Sequence, residues 1–140
     1  MKKKTTTSIA EMHVDDEGIL IVEVIGGVTI DLEKSKAYIE ATKKLLGGRK
    51  ALVLFNASSD YRITEEAKAF AGSKEFSENR IAVAYVTNSV ANRLLFNLFL
   101  KVHNPIVPSK MFSNEDSALK WLRTFFVMPG DKYVKPKKKL

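Results

Sequence analysis

The sequence predicts an α/β domain: a mostly parallel sheet opened by an antiparallel hairpin, with the element order ββαβαβαβα. Three observations carry this. Two uninterrupted apolar runs, ALVLFNA at 51–57 and RIAVAYVT at 80–87, have the composition of strands covered on both faces. Segments of helical period separate the strand-like runs, which calls for crossover connections and parallel pairing. Two further strand-like runs, 8–14 and 19–25, lie on either side of Asp15-Asp16-Glu17-Gly18, which is turn chemistry.

Each element has a local reason. SIAEMHV at 8–14 and the richer ILIVEVI at 19–25 form the hairpin, and Gly26-Gly27 ends it. Asp31 caps a helix whose Leu32, Tyr38, Ile39, Thr42, Leu45 and Leu46 share a face, and Gly47-Gly48 stops it. Strand 51–57 follows, then a loop at 58–63, and Thr64-Glu65-Glu66 starts a short helix of alanine and phenylalanine. Strand 80–87 leads into a long helix over 89–103. Residues 104–112 hold a short strand that Pro105 and Pro108 confine to a sheet edge. Ser113 with Asp116 gives a capping-box-like start to a last helix that buries Ala118, Leu122 and Phe125, with Trp121 on one flank. The expected boundaries are a basic tail at 1–7, one domain at 8–127 and a Lys-rich tail at 128–140.

Charge is segregated. Of the net +7, eight lysines (2, 3, 4, 132, 135, 137, 138 and 139) stand in the termini against Asp131 alone, so residues 5–130 balance at 15 basic and 15 acidic. The domain itself therefore carries no footprint for specific nucleic-acid binding, and the tails suit an acidic membrane surface. No apolar stretch follows the basic start and no window approaches a membrane span, so a cytoplasmic protein is expected.

No catalytic constellation is visible. The chain has no cysteine, which removes thiol nucleophiles, disulfides and zinc thiolates. His13 and His103 are its two histidines, and neither has a carboxylate or second histidine at ligand spacing. No serine has a matching His/Asp pair, and phosphate-binding glycine motifs are missing. The expectation is a non-catalytic protein without metal or cofactor. Ser58, Ser59, Thr87 and Ser89 stand at the carboxyl ends of the two buried strands, where open α/β sheets place their ligand crevices, and they form a candidate anion or phosphorylation site.

The helix at 89–103, SVANRLLFNLFLKVH, has more apolar surface than one core contact needs. At 100° per residue, Ala91, Leu94, Leu95, Leu98, Phe99 and Val102 fall on one broad arc suited to pack on the sheet. Phe96 and Leu100 fall outside it, beside Asn92, Arg93, Asn97 and His103. The wheel thus assigns Phe96 and Leu100, bordered by Arg93, to an exposed partner or lipid surface. Burying that pair is worth about 3–6 kcal/mol.

The element order resembles the SpoIIAA-like fold shared by STAS domains and the lipid-binding CRAL-TRIO (Sec14) domains, over nearly all of residues 8–126. The string MFSNEDSALKWL at 111–122 is similar to the closing strand-to-helix step of bacterial SpoIIAA-like proteins, with its aromatic residue, polar cap and Ala-x-x-Trp-Leu helix. STAS anti-sigma-factor antagonists carry a phosphorylatable serine at the place occupied here by NASSDYRIT, 56–64. The Asp-Ser-x-Gly pattern of those regulators is absent, so the chain looks closer to the uncharacterised bacterial members. The resemblance implies a regulatory or protein-interaction module, with a protein partner or homodimer. It implies as alternatives an apolar-ligand or membrane-surface binding domain of Sec14 type, and a partner switch driven by phosphorylation of Ser58 or Ser59.

Overall fold

The computed structural model describes residues 4–103 and 105–126. Its main sheet has six strands. In spatial order these are β1 (Lys4–Thr6), β2 (Ala10–Val14), β3 (Leu20–Val24), β5 (Ala51–Asn56), β7 (Arg80–Val86) and β8 (Ser109–Phe112). The first three pair antiparallel and the remaining junctions are parallel. A second, two-stranded parallel sheet joins β4 (Val28–Ile30) to β6 (Tyr61–Ile63). The helices are α1 (Leu32–Leu46), α2 (Glu65–Ala71), α3 (Lys74–Ser77), α4 (Val90–His103) and α5 (Glu115–Arg123).

The parallel strands are apolar throughout because both faces of the sheet are covered. Leu20, Val22, Val53, Val83 and Tyr85 face α1, α2 and α4. Ile19, Leu52, Leu54, Ala82, Ala84 and Val86 face α5 through Ala118 and Leu122. The register fixes this parity: Leu20 lies opposite Val53, and Val53 opposite Val83. The three crossovers between parallel strands all run over the first face, so the helices that shape the site share one side of the sheet.

Local chemistry places the ends. The Asp15 carboxylate accepts from the backbone N–H groups of Glu17 and Ile19 (both 2.9 Å), and Gly18 takes φ 83° in the same turn. Asp31 Oδ1 caps α1 by accepting from Lys34 N–H at 2.8 Å, and Gly47 at φ 62° closes it. Thr64 caps α2. The cap of α5 is Asn114, whose Oδ1 accepts from Ser117 N–H, rather than Ser113.

Four elements escape the expected order: β1, β4, β6 and α3. Each spans three or four residues, too short to show a period, and each exists through its tertiary partners. β1 corrects the N-terminal boundary, because Lys4–Thr6 pair with Glu11–His13 as an edge strand and are not tail. The stretch read as a loop at 58–63 contains β6, which pairs with β4. β8 is the short strand expected within 104–112 and lies at the sheet edge, and the Pro108 carbonyl accepts from Val83 N–H (2.9 Å) just before it starts. Residues 1–3 and the predicted tail at 128–140 lie outside the described residues.

Candidate functional site

The site is built around α4, and the first finding there is a correction. Phe96 and Leu100, assigned from the wheel to the exposed surface, pack against the core, whereas Leu94, Leu95, Leu98 and Val102 face outward. The wheel offered two apolar arcs and could not say which one meets the sheet. The aromatic face of the sheet decides it. Tyr85 of β7 presents a ring to Phe96 at 5.2 Å between centroids, and Phe99 meets Phe96 edge-on at 6.2 Å. Arg93 is likewise turned inward, with Nη1 donating to the Thr87 carbonyl at 3.1 Å, so it holds the first turn of α4 and forms no outer border.

The result is a helix that covers the fold without being embedded in it. None of residues 90–102 is buried. Val90, Leu94, Leu95, Leu98 and Val102, with Ile106 just beyond the helix, are 58–67% exposed. In globular domains the unusual observation is a contiguous exposed apolar patch, since scattered apolar surface residues are ordinary.

Behind α4 lies a cavity of about 430 Å³, within the range of about 300–1,000 Å³ common to small-molecule sites. It opens between α2 and α4 because α2 and α3, of seven and four residues, are too short to fill the space over β5 and β7. Its inner wall is aromatic. Phe70, Phe76, Tyr38, Phe55, Tyr85 and Phe96 form a chain of ring contacts with centroids 5.2–6.3 Å apart, and all but Phe70 line the cavity. Its outer wall includes Leu95, Leu98, Phe99 and Val102 of α4, and Ile30, Tyr61 and Ile63 of the small sheet complete it. The rim carries Asp60, and Glu65 paired with Lys68 at 3.2 Å.

Burial shapes the chemistry of the tyrosines. It pushes the Tyr85 hydroxyl up to about 12 and raises those of Tyr61 and Tyr38, the last against the opposing pull of Arg80. All three remain neutral hydroxyls at physiological pH. Arg80, 2% exposed, donates from Nη2 to the Tyr38 hydroxyl and from Nη1 to the Phe76 carbonyl. Its guanidinium also lies 4.5 Å from the centre of the Phe76 ring.

The predicted hydroxyl site disperses. Thr87 is fully buried, and its Oγ1 accepts from Ser89 N–H. Ser89 is spent on the start of α4, where its Oγ accepts from Asn92 N–H. Ser59 Oγ donates to the Val24 carbonyl at 2.8 Å, tying the strand-end loop to β3, and it lines the cavity. Ser58 alone of the four is exposed. His13 lies in β2 opposite Ile21, away from the cavity, and the His103 side chain is outside the described set. Among the described residues no group of three or more histidine, cysteine, aspartate or glutamate side chains could hold a metal ion. No helix among them is long and apolar enough to cross a membrane. Sequence reasoning missed Tyr38, Tyr61 and Tyr85 as cavity groups, and Arg80 behind Tyr38, because strand and helix periods mark burial but not the space left between helices.

A family model described as a domain of unknown function, DUF7793, matches residues 12–126. The chain belongs to this family. Its match spans most of the hairpin, all three crossovers and α5, so every cavity-lining residue but Ile9 lies within the DUF7793 domain. No curated protein matches the chain. Among solved structures it is similar to an uncharacterised DUF3478-family protein from Shewanella loihica PV-4 with a SpoIIAA-like fold. The TM-score is 0.58 at 12% identity, covering 87% of this chain and 92% of that one. The DUF7793 domain here thus has the SpoIIAA-like fold its element order resembled.

Proposed function

We propose that this domain is a non-catalytic binding module that takes an apolar small molecule into the cavity behind α4. The observation that carries the reading is the enclosure of about 430 Å³ by an aromatic wall on the sheet side and by Leu95, Leu98 and Val102 on the helix side. A cavity walled in this way favours an apolar guest through area removed from water, at about 25 cal/mol per Å². The test is binding of an environment-sensitive apolar fluorophore, together with mass spectrometry of organic extracts from the natively purified protein. Ala71→Phe projects a ring into the cavity from the end of α2, where Ala71 lines it. Saturable binding that Ala71→Phe abolishes, with the fold retained by circular dichroism, supports the reading. Absence of binding by the native protein, with no extractable ligand, overturns it.

The outer row of α4 supports a second, compatible role as a protein-interaction surface, with a second copy of the chain as the occupant. Val90, Leu94, Leu98 and Val102 recur every fourth residue, the spacing of a ridge that packs against its like at about −50°. With Leu95 and Ile106 this surface offers on the order of 400 Å² per copy, because six side chains of about 100 Å² each are roughly three-fifths exposed. The two rows alone would bury about 800 Å², so flanking residues join them to reach the roughly 1,000 Å² of a specific interface. Such pairing would also close the cavity mouth, because Leu95, Leu98 and Val102 serve both surfaces. Native mass spectrometry should show a dimer that Leu94→Asp with Leu98→Asp dissociates. A monomer across the micromolar range removes this reading, and sedimentation of that monomer with acidic vesicles at low salt reassigns the face to a lipid surface.

A further inference from the structure

The cavity that the proposed function rests on also carries polar groups in its lining. Tyr85 and Ser35, 8% and 5% exposed, both line it, as does Tyr61, and none of the three hydroxyls has a hydrogen-bond partner among the described residues. None of the three is sealed away from the cavity, so each can donate its proton to whatever occupies it. Tyr61 and Tyr85 lie close enough that ionising one opposes ionising the other. Tyr38, also in the wall, accepts from Arg80, which leaves its own proton without an acceptor among the described residues.

Arg80 adds the sign of the missing charge. It is 2% exposed, it forms no salt bridge among the described residues, and its Nε–H is unpartnered. Its two other arms meet neutral oxygens, and its faces meet the rings of Tyr38 and Phe76. Buried cations are ordinarily matched by an anion. The carboxylates nearest the cavity do not supply one: Asp60 is exposed at the rim, and Glu65 is exposed and paired with Lys68.

We infer that the cavity's ligand is an apolar chain or ring ending in a carboxylate, received by the hydroxyls of Tyr85, Tyr61 and Ser35, with Arg80 behind Tyr38 supplying the positive field. The apolar portion lies along Phe55, Phe96 and the α4 leucines, and the carboxylate accepts the hydroxyl protons that the protein leaves unpaired. Hydrogen bonds to a charged group contribute about 1.5–3 kcal/mol each, so one such bond is worth roughly tenfold or more in affinity.

The test compares decanoate with decanol on the wild-type protein by calorimetry near neutral pH. The two share a chain and differ in the charged terminus. Decanoate should bind at least about tenfold more tightly. Tyr85→Phe, which keeps the ring stacked on Phe96 and Phe55 and removes a hydroxyl that bonds to nothing in the fold, should shrink that preference while leaving decanol affinity and thermal stability unchanged. Equal affinities, or a preference for decanol, overturn the carboxylate assignment while leaving the apolar cavity reading in place. A preference for decanoate that Tyr85→Phe does not alter overturns the hydroxyl cluster as its origin. If neither probe binds, the carboxylate assignment falls together with the cavity reading.

Discussion

Truncating α4 on its two faces separates the observed helix orientation from the one the wheel suggests. Phe96 is half-buried against Tyr85, whereas Leu94 is 66% exposed. A fully buried Phe→Ala change costs about 3–5 kcal/mol, and the incomplete burial of Phe96 scales this to roughly 2–4 kcal/mol. Loss of the ring pair with Tyr85 adds about 0.5–1.5 kcal/mol. Phe96→Ala should therefore destabilise by about 3–5 kcal/mol. Leu94 has only about a third of its surface to lose, so the 2–5 kcal/mol of a buried Leu→Ala falls to roughly 1 kcal/mol or less. Urea unfolding of both variants, with m values checked for equality, reads the difference directly. A cost for Leu94→Ala that matches or exceeds that of Phe96→Ala would refute the orientation, and with it the placement of the exposed row and the cavity.

Three further outcomes follow from the same packing. Leu122→Ala removes a fully buried side chain from between α5 and the sheet and should cost about 2–5 kcal/mol in the same assay; a cost under 1 kcal/mol would mean that α5 is not the cover of that face. Asp31→Ala deletes the cap of α1 and should cost about 1 kcal/mol, whereas Asp31→Asn should restore most of it. The Tyr85 hydroxyl, pushed up to about 12, keeps its proton in the folded state to higher pH than in the unfolded chain, where it titrates near 10. Its contribution is thus complete below about pH 10 and is lost as pH rises toward 12, roughly 2–3 kcal/mol in all, with Tyr61 and Tyr38 acting in the same direction. The urea midpoint should fall across that window and fall less in Tyr85→Phe; a midpoint flat to about pH 12 contradicts the burial of these hydroxyls.

The elements legible in the sequence are those whose signal is local. The Asp31 cap, the Gly47 stop, the Asp15–Gly18 turn and the two apolar runs all stand where their chemistry places them. The prolines beside β8 predicted an edge strand, and β8 is at the edge. The short strands β4 and β6 were illegible because neither holds together without the other, and the residues between Gly27 and Ile30 read as nothing in particular until Tyr61–Ile63 lie alongside. The candidate site suffered most. Ser59, Thr87 and Ser89 stand at strand ends, where open sheets place ligands, yet each is spent on holding the fold: Ser59 on Val24, Thr87 and Ser89 on the start of α4.

The sequence by itself determined the fold class, the covering of the sheet on both faces and the surplus of apolar surface on 89–103. These are properties of composition and period along one segment at a time. Which side of α4 carries that surplus was decided only in three dimensions. A helical wheel with two apolar arcs is degenerate, and the degeneracy is lifted by the ring that Tyr85 presents to Phe96. The cavity is likewise a tertiary fact, since it is the volume that two short helices fail to fill between α1 and α4. No residue encodes an empty space. The unpaired hydroxyls of Tyr85, Tyr61 and Ser35 gain their meaning from being gathered around it, by elements up to fifty residues apart in the chain.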